Sequence, residues 1–132
     1  MTYSLKKVTA VLVVPTIEPS LELWENRLGF TRTAEVPHEN ALGFVILVRD
    51  GVEIMLQSEA SVRADLGNAV SENVAGVSTA LFVEVSDLAA IEKALGDYPV
   101  ALPRRTTFYG MHEVGVRDPA GHFVLFAQPA GG

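Results

Sequence analysis

The sequence contains no cysteine, and this absence excludes disulfide bonds, thiol nucleophiles and cysteine-ligated metal sites. Its three histidines, His38, His112 and His122, form no pair at i, i+2 or i, i+4 spacing, so surface histidines are a better interpretation than a metal site. The sequence also has no GxSxG elbow and no glycine-rich phosphate loop after a strand. It therefore lacks the common motifs of nucleophilic and nucleotide-dependent catalysis.

Basic residues are scarce, because the sequence has 10 Lys and Arg but 16 Asp and Glu, which gives a net charge of −6. Because an acidic surface repels phosphate backbones and anionic lipids, we expect neither nucleic acid nor a membrane as a partner. The longest apolar runs have the length of a strand, and the first residues, MTYSLKK, have no apolar signal region. We therefore expect a soluble, cytoplasmic protein of one domain.

The first half of the chain has the pattern of one strand, one helix and three strands. Residues 8–14, VTAVLVV, predict a buried strand, and Ile17, Leu21, Trp24 and Leu28 recur at helical spacing before Gly29. Core packing explains Trp24 better than ligand contact does. The dipeptide Asp50-Gly51 is a strong hairpin signal between the last two strands. These three strands are expected at residues 30–36, 41–49 and 52–57.

The second half repeats this order. Ser86 or Asp87 caps a short helix in which Leu88, Ile91 and Leu95 face the core, and Gly96 ends that helix. The sequence DPAG at residues 118–121 has the residues that a type I turn requires. Strands are expected at residues 79–85, 99–108, 111–117 and 122–128.

The sequence thus predicts an α+β fold made of two βαβββ modules, at residues 1–58 and 78–132, in one domain. Residues 59–77 form the connector, in which residues 62–66 could make one helical turn. Each four-stranded sheet has one face covered by its helix and the other face free. We expect the two sheets to form a curved mixed sheet around a concave cleft, which is a natural site for a ligand.

Two segments, VPTIEPSLELWENRLGF near the start and YGMHEVGVRDPAGHFVLFAQ near the end, resemble the vicinal oxygen chelate superfamily. This superfamily holds glyoxalase I, extradiol dioxygenases, fosfomycin-resistance enzymes and bleomycin-resistance proteins. The resemblance covers nearly the whole chain and implies the same paired βαβββ fold. It also implies a homodimer, because bleomycin-resistance proteins usually hold a drug in a cleft at a dimer interface.

The metal enzymes of this superfamily carry His, Gln or Glu ligands on four strands. By the resemblance, these positions fall on Thr9, on Met55 (or Ile54 or Glu53 in a shifted register), on Ala80 and on Leu125. Thr, Met, Ala and Leu bind divalent metals poorly, so we expect neither a metal nor another cofactor. The chain is closest to the bleomycin-resistance branch, which acts without metal.

The residues that we expect to line the cleft lie at these positions and beside them. Glu53 is a candidate counter-ion for a cationic ligand, and Phe82 with Glu84 suits a ligand that is flat, apolar and positively charged. The alternative for both acids is plain exposure to solvent, and Arg104 and Arg105 are best interpreted as surface charges. The predicted ligand-binding residues are Thr9, Glu53, Met55, Gln57, Ala80, Phe82, Glu84, Tyr109, His112 and Leu125.

The leading hypothesis is a metal-independent small-molecule-binding protein, for which a drug or an antibiotic is one candidate ligand. One alternative is a glyoxalase-like or dioxygenase-like lyase or isomerase with a relocated acid or base, such as Glu53, Glu84 or His112, or with an unrecognised metal site. Another alternative is a structural or regulatory dimer with a filled cleft.

Overall fold

The computed structural model describes residues 6–66 and 79–131. It contains two four-stranded units in succession, with one helix, α1, after the first. Residues 67–77 of the predicted connector lie outside the described residues. The strands are β1 (Ala10–Val14), β2 (Thr31–His38), β3 (Ala41–Arg49), β4 (Val52–Ser58), β5 (Ala80–Glu84), β6 (Leu102–Thr106), β7 (Met111–Arg117) and β8 (Phe123–Pro129). The α-helices are α1 (Glu59–Leu66) and α2 (Leu88–Leu95).

The two sheets have the same topology. The strand order is β1-β4-β3-β2 in the first sheet and β5-β8-β7-β6 in the second. The first strand of each sheet runs parallel to the last, and the other pairs are antiparallel. The segment after β1 or β5 must therefore cross over the sheet, which is why a helical segment follows each of them. The predicted α+β fold with a repeated strand order is confirmed, and we call β1–β4 the first module and β5–β8 the second.

The helical segments of the two modules differ in regularity. In the second module, α2 begins after Asp87, whose carboxylate accepts a hydrogen bond from the Ala90 amide, and it ends at Gly96 with φ of 58°. In the first module, a 3₁₀ turn at Glu18–Ser20 leads into a π-helical segment at Glu22–Arg27. The apolar periodicity located this segment, but it could not predict the wider winding.

The helical segments and the sheets bury one shared core. The first module contributes Trp24 and Leu28 of its helical region and strand residues at alternate positions. The second module contributes α2 and strand residues with the same alternation. This alternation is the period-2 pattern that the sequence predicts for half-buried strands. The strand residues of the core include Leu12, Val14, Val45, Leu47, Ile54, Leu56, Val114, Val116, Val124 and Phe126.

Polar contacts of Arg27 and His122 join the modules. The Arg27 guanidinium donates to the Leu95 carbonyl at 2.6 Å and to the Asp97 carboxylate at 2.7 Å, which ties the first helical segment to the end of α2. His122, directly after the DPAG turn, donates from Nε2 to the Val13 carbonyl of β1 at 2.8 Å. In the described part of the chain, no helix is long and apolar enough to cross a membrane.

Candidate functional site

Each sheet has a second face that points away from the shared core, and we call these the open faces. They are formed by the strand residues that alternate with the core residues. The first open face carries Thr9, Val11, Val13, Phe44, Ile46, Val48, Glu53, Met55 and Gln57. The second open face carries Ala80, Phe82, Glu84, Arg105, Glu113, Gly115, Arg117, Phe123, Leu125 and Ala127.

The predicted residues of the first module lie together on its open face. The register pairs Val11 with Met55 and Val13 with Gln57, and the Thr9 hydroxyl donates to the Glu53 carboxylate at 3.1 Å. Lys7 also donates to this carboxylate, at 2.9 Å. Hydrogen bonds from Lys7 and then Thr9 lower the pKa of Glu53 below its ordinary value. The negative charge of Glu53 therefore already has a cation beside it.

The predicted residues of the second module lie on the other open face. Phe82 pairs with Leu125, and Glu84 pairs with Ala127, so an aromatic ring and a carboxylate stand side by side on β5 next to smaller residues of β8. Phe82 is 55% exposed. Among residues 6–66 and 79–131, Glu84 has neither a hydrogen-bond nor an ion-pair partner. The second open face therefore offers a free ring and a free carboxylate.

A buried carboxylate, Glu113, lies at the centre of this second face. Arg105 of β6, its cross-strand partner, donates from Nε at 3.0 Å, and its Nη2 is also 3.0 Å from the same oxygen. The Tyr109 hydroxyl donates to the other oxygen at 2.7 Å. This bond is the main reason that the pKa of Tyr109 is raised, with burial next. Glu113 is 0% exposed, so its charge is held by these two side chains and is closed to solvent.

The sequence singled out Tyr109 as a ligand contact, which stays a prediction, and it did not single out Glu113. The alternation in residues 111–117 places Glu113 on the face away from the core, where an acid is ordinarily solvated. Its burial depends on the register that sets Arg105 beside it and on the loop that brings Tyr109 over it. Neither feature is visible in the order of the residues.

His112 lies apart from the other predicted residues. It pairs with Gln128, whose side-chain oxygen accepts from the Leu88 amide at the start of α2. His112 Nδ1 shares a hydrogen bond of 2.8 Å with the Thr106 hydroxyl. The alternation along β7 therefore places His112 on the face toward α2, while the remaining nine predicted residues lie on the open faces or, for Tyr109, beside them.

Solved structures of other proteins share this fold. A glyoxalase/bleomycin resistance protein/dioxygenase from Nocardioides is 21% identical, with a TM-score of 0.74, and the match covers 99% of this chain and 88% of that one. The chain has the glyoxalase/bleomycin-resistance fold. The resemblance predicted from the sequence is thus confirmed at the level of the fold.

Two further structural neighbours carry different descriptions. A glyoxalase-related enzyme from Fulvimarina pelagi is 20% identical over 94% of this chain and 88% of that one, with a TM-score of 0.68. TnmS3, an antibiotic-binding protein from Streptomyces sp. CB03234, is 17% identical over 96% and 99%, with a TM-score of 0.65. No protein-family model and no curated protein sequence matches the chain. Because neighbours of both kinds share the fold, the function has to be argued from the site.

The donor atoms at the family's metal positions do not fit a divalent metal. Thr9, Met55, Ala80 and Leu125 offer one hydroxyl and one thioether, and neither imidazole nor carboxylate. Among the described residues, no group of three or more His, Asp or Glu side chains is placed to hold a metal ion. The open faces instead combine apolar surface with one free carboxylate, which suits non-covalent binding.

Proposed function

We propose that the chain is a metal-independent small-molecule-binding protein that holds its ligand on the open faces. The observation that carries the proposal is the pairing of an exposed aromatic ring, Phe82, with the unpartnered carboxylate of Glu84, two residues along the same strand. The neighbouring positions Ala80 and Leu125 are small or apolar. Likeness to an antibiotic-binding protein of the same fold supports this proposal.

The chemistry of the face favours a ligand that is flat, apolar and positively charged. A planar ring system stacks on Phe82, and a cationic group on it is attracted to Glu84. The other two acids on the open faces are already engaged, Glu53 by Lys7 and Glu113 by Arg105 and Tyr109. Drugs and antibiotics of this chemical type are the first candidates, and we propose that the chain binds them in the cytoplasm.

We propose further that the protein works as a homodimer. Large apolar side chains are exposed on or beside both open faces, and Phe108, next to Tyr109, is 100% exposed. Covering such surface with a second copy removes it from water. Analytical ultracentrifugation tests this part of the proposal, because a species with the mass of one chain at micromolar concentration contradicts it.

The binding experiment uses proflavine, a flat cationic dye, in fluorescence titrations. We expect Phe82→Ala to weaken binding about tenfold, because stacking contributes about 1 kcal/mol or more. Glu84→Gln should weaken binding less and should reduce its salt dependence. Asp65→Asn is the matched control, because it removes the same charge from an exposed position on α1. Equal affinity for all four proteins contradicts the proposal.

A second candidate function, a lyase or isomerase, is favoured by one observation. The hydroxyl of half-exposed Tyr109 bonds the Glu113 carboxylate at 2.7 Å, which places a proton donor at the open face. Chromatography of ligand recovered after incubation separates the two functions. Unchanged ligand supports binding, whereas conversion that Tyr109→Phe abolishes supports the enzyme.

A further inference from the structure

A cavity of about 450 Å³ lies between the two modules on the side of the helices, opposite the open faces. From the first module, Trp24, Phe30 and Ile54 line it, together with residues of the β3–β4 turn. From the second module, β5 and α2 contribute Val83 and Ile91, among others. Its volume is within the range of small-molecule sites.

The cavity is open because the β3–β4 turn is shorter than the β7–β8 turn. The β7–β8 turn is long enough for Asp118 and His122 to become buried, for Ala120 to pack against the core and for His122 to bond β1 of the first module. The corresponding β3–β4 turn consists of only two residues, Asp50 and Gly51. Asp50 has its side chain 85% exposed, so the short turn leaves the space beside β5 and α2 open.

The wall of the cavity is mainly apolar, and one of its residues, Trp24, carries an unused hydrogen-bond donor. Trp24 and Phe30 meet edge to face with ring centroids 5.2 Å apart, and Val83, Ile91 and Phe126 add aliphatic and aromatic surface. The buried Trp24 Nε1–H has no hydrogen-bond acceptor within the described residues. An unpaired buried donor is costly, so an acceptor brought to it by a ligand would be favoured.

The polar residues that line the cavity are mainly acidic. Among the described residues, the cavity is lined by three acids, Asp50, Glu84 and Asp87, and by one cation, Arg49, which already donates to the Leu28 carbonyl at 2.6 Å. Such a rim disfavours an anion, because its charge would be repelled. The charge pattern therefore selects for neutral or cationic molecules.

We propose that this inter-module cavity is a second binding site, separate from the open faces, for a compact aromatic molecule that is neutral or cationic. The aromatic part packs among Trp24, Phe30 and Ile91, and a carbonyl or ether oxygen accepts the Trp24 Nε1–H bond. The cavity shares the rim residue Glu84 with the proposed function, but Phe82, which that function also requires, points to the opposite face of β5, so the two sites can be tested separately.

Nuclear magnetic resonance tests the proposal directly, because Trp24 is the single tryptophan of the chain and gives one indole N–H signal. The probe is benzophenone, and its isostere 1,1-diphenylethylene has the same shape without the carbonyl oxygen. We expect benzophenone to move the indole signal downfield and to bind about fivefold more tightly than the isostere. The anion 4-benzoylbenzoate should bind more weakly than benzophenone.

Two variants on α2 locate the binding. Ala90 and Ala89 are both exposed neighbours on this helix, and only Ala90 lines the cavity. Ala90→Phe should fill the space and abolish the indole shift, whereas Ala89→Phe should leave it intact. If Ala90→Phe does not fold, Ala94→Phe fills the same cavity from the next turn.

Several results would overturn the proposal. They are an indole signal that benzophenone does not move, a shift that survives a folded cavity-filling variant, and equal affinity for benzophenone and its isostere. Loss of benzophenone binding in Phe82→Ala would also overturn it, because the probe would then occupy the open face. A failure of proflavine to bind would count against the proposed function alone.

Discussion

The two modules share one topology, yet their open faces differ in chemistry. The first is largely apolar, with Val11, Phe44, Ile46 and Met55, and its acid, Glu53, forms a half-exposed pair with Lys7 at the edge. The second buries an acid, Glu113, under Arg105 and Tyr109. The comparison shows that the repeated fold fixes where side chains point, while cross-strand neighbours decide whether a charge is solvated or structural.

The largest expected loss of stability comes from breaking the buried Arg105–Glu113 pair of the second module. Arg105→Leu leaves the Glu113 carboxylate without its cation and should destabilise the protein by about 3 kcal/mol. Chemical denaturation measures the free energy of unfolding. Adding Glu113→Leu to this variant should restore most of the stability, because the uncompensated charge is then removed.

The matched change in the first module is Lys7→Leu. The Lys7–Glu53 pair is partly exposed at the edge of the sheet, and Thr9 still donates to Glu53, so removing Lys7 should change the denaturation midpoint little. Equal losses from Arg105→Leu and Lys7→Leu would show that the two faces do not differ as the structure indicates.

A smaller effect is expected at Gly115, which occupies the place that Ile46 holds in the first module. Ile46 pairs with Met55, and Gly115 pairs with Leu125. A Cβ atom at Gly115 would lie 2.5 Å from Phe123 Cζ and 3.1 Å from Leu102 Cβ. Gly115→Ala should therefore cost about 2 kcal/mol in thermal or chemical denaturation. Phe123→Leu in the same chain should recover part of the loss, and no recovery would argue against the Phe123 contact.

The smallest expected change in stability comes from an acid in the β7–β8 turn, and the acid of the β3–β4 turn serves as its control. Burial raises the pKa of Asp118 above its ordinary value, although the His122 amide donates to its carboxylate and opposes the shift. A raised folded-state pKa means that stability is greatest below the unfolded pKa and falls as the pH rises through the folded pKa. Asp118→Asn keeps the acceptor oxygen and removes the buried charge, so it should stabilise the protein at neutral pH.

The control for this prediction is the exposed acid of the other turn. Urea denaturation at neutral pH and in acid should show the gain from Asp118→Asn shrinking as the wild-type carboxyl takes up its proton. Asp50→Asn should change stability at neither pH, since that carboxylate is exposed. A gain from Asp118→Asn that does not depend on pH would contradict the assignment to burial.

Local patterns predicted most of the fold. β3, α2 and β7 begin and end where apolar alternation, capping residues and turn residues place them. The connector helix α1 is longer than predicted, because three residues before Val62 join it and only that valine is buried, so the periodicity there is weak. The π-helical winding of the first segment also escaped prediction, because the predicted stripe of Ile17, Leu21, Trp24 and Leu28 has α-helical spacing, whereas the fully buried leucine is Leu23, five residues before Leu28.

The site was only partly predictable. The period of two along β4 and β5 correctly grouped Glu53 with Met55 and Phe82 with Glu84, because residues two apart share a face. The same period along β7 puts His112 on the face of Val114 and Val116, away from the open face, but it could not predict that Glu113 is buried, because that burial depends on Arg105 and Tyr109. The inter-module cavity depends on the lengths of the β3–β4 and β7–β8 turns and on the module that each turn faces. A local sequence pattern does not show which module a turn will face.

The central claim, binding on the open face without a metal, is tested most directly by one calorimetric comparison. Proflavine is titrated into the wild type before and after exhaustive dialysis against EDTA, and into Phe82→Ala. The account predicts equal affinity before and after dialysis and an affinity about tenfold weaker in the variant. Binding that EDTA abolishes and added divalent metal restores, with Phe82→Ala unchanged, would contradict it.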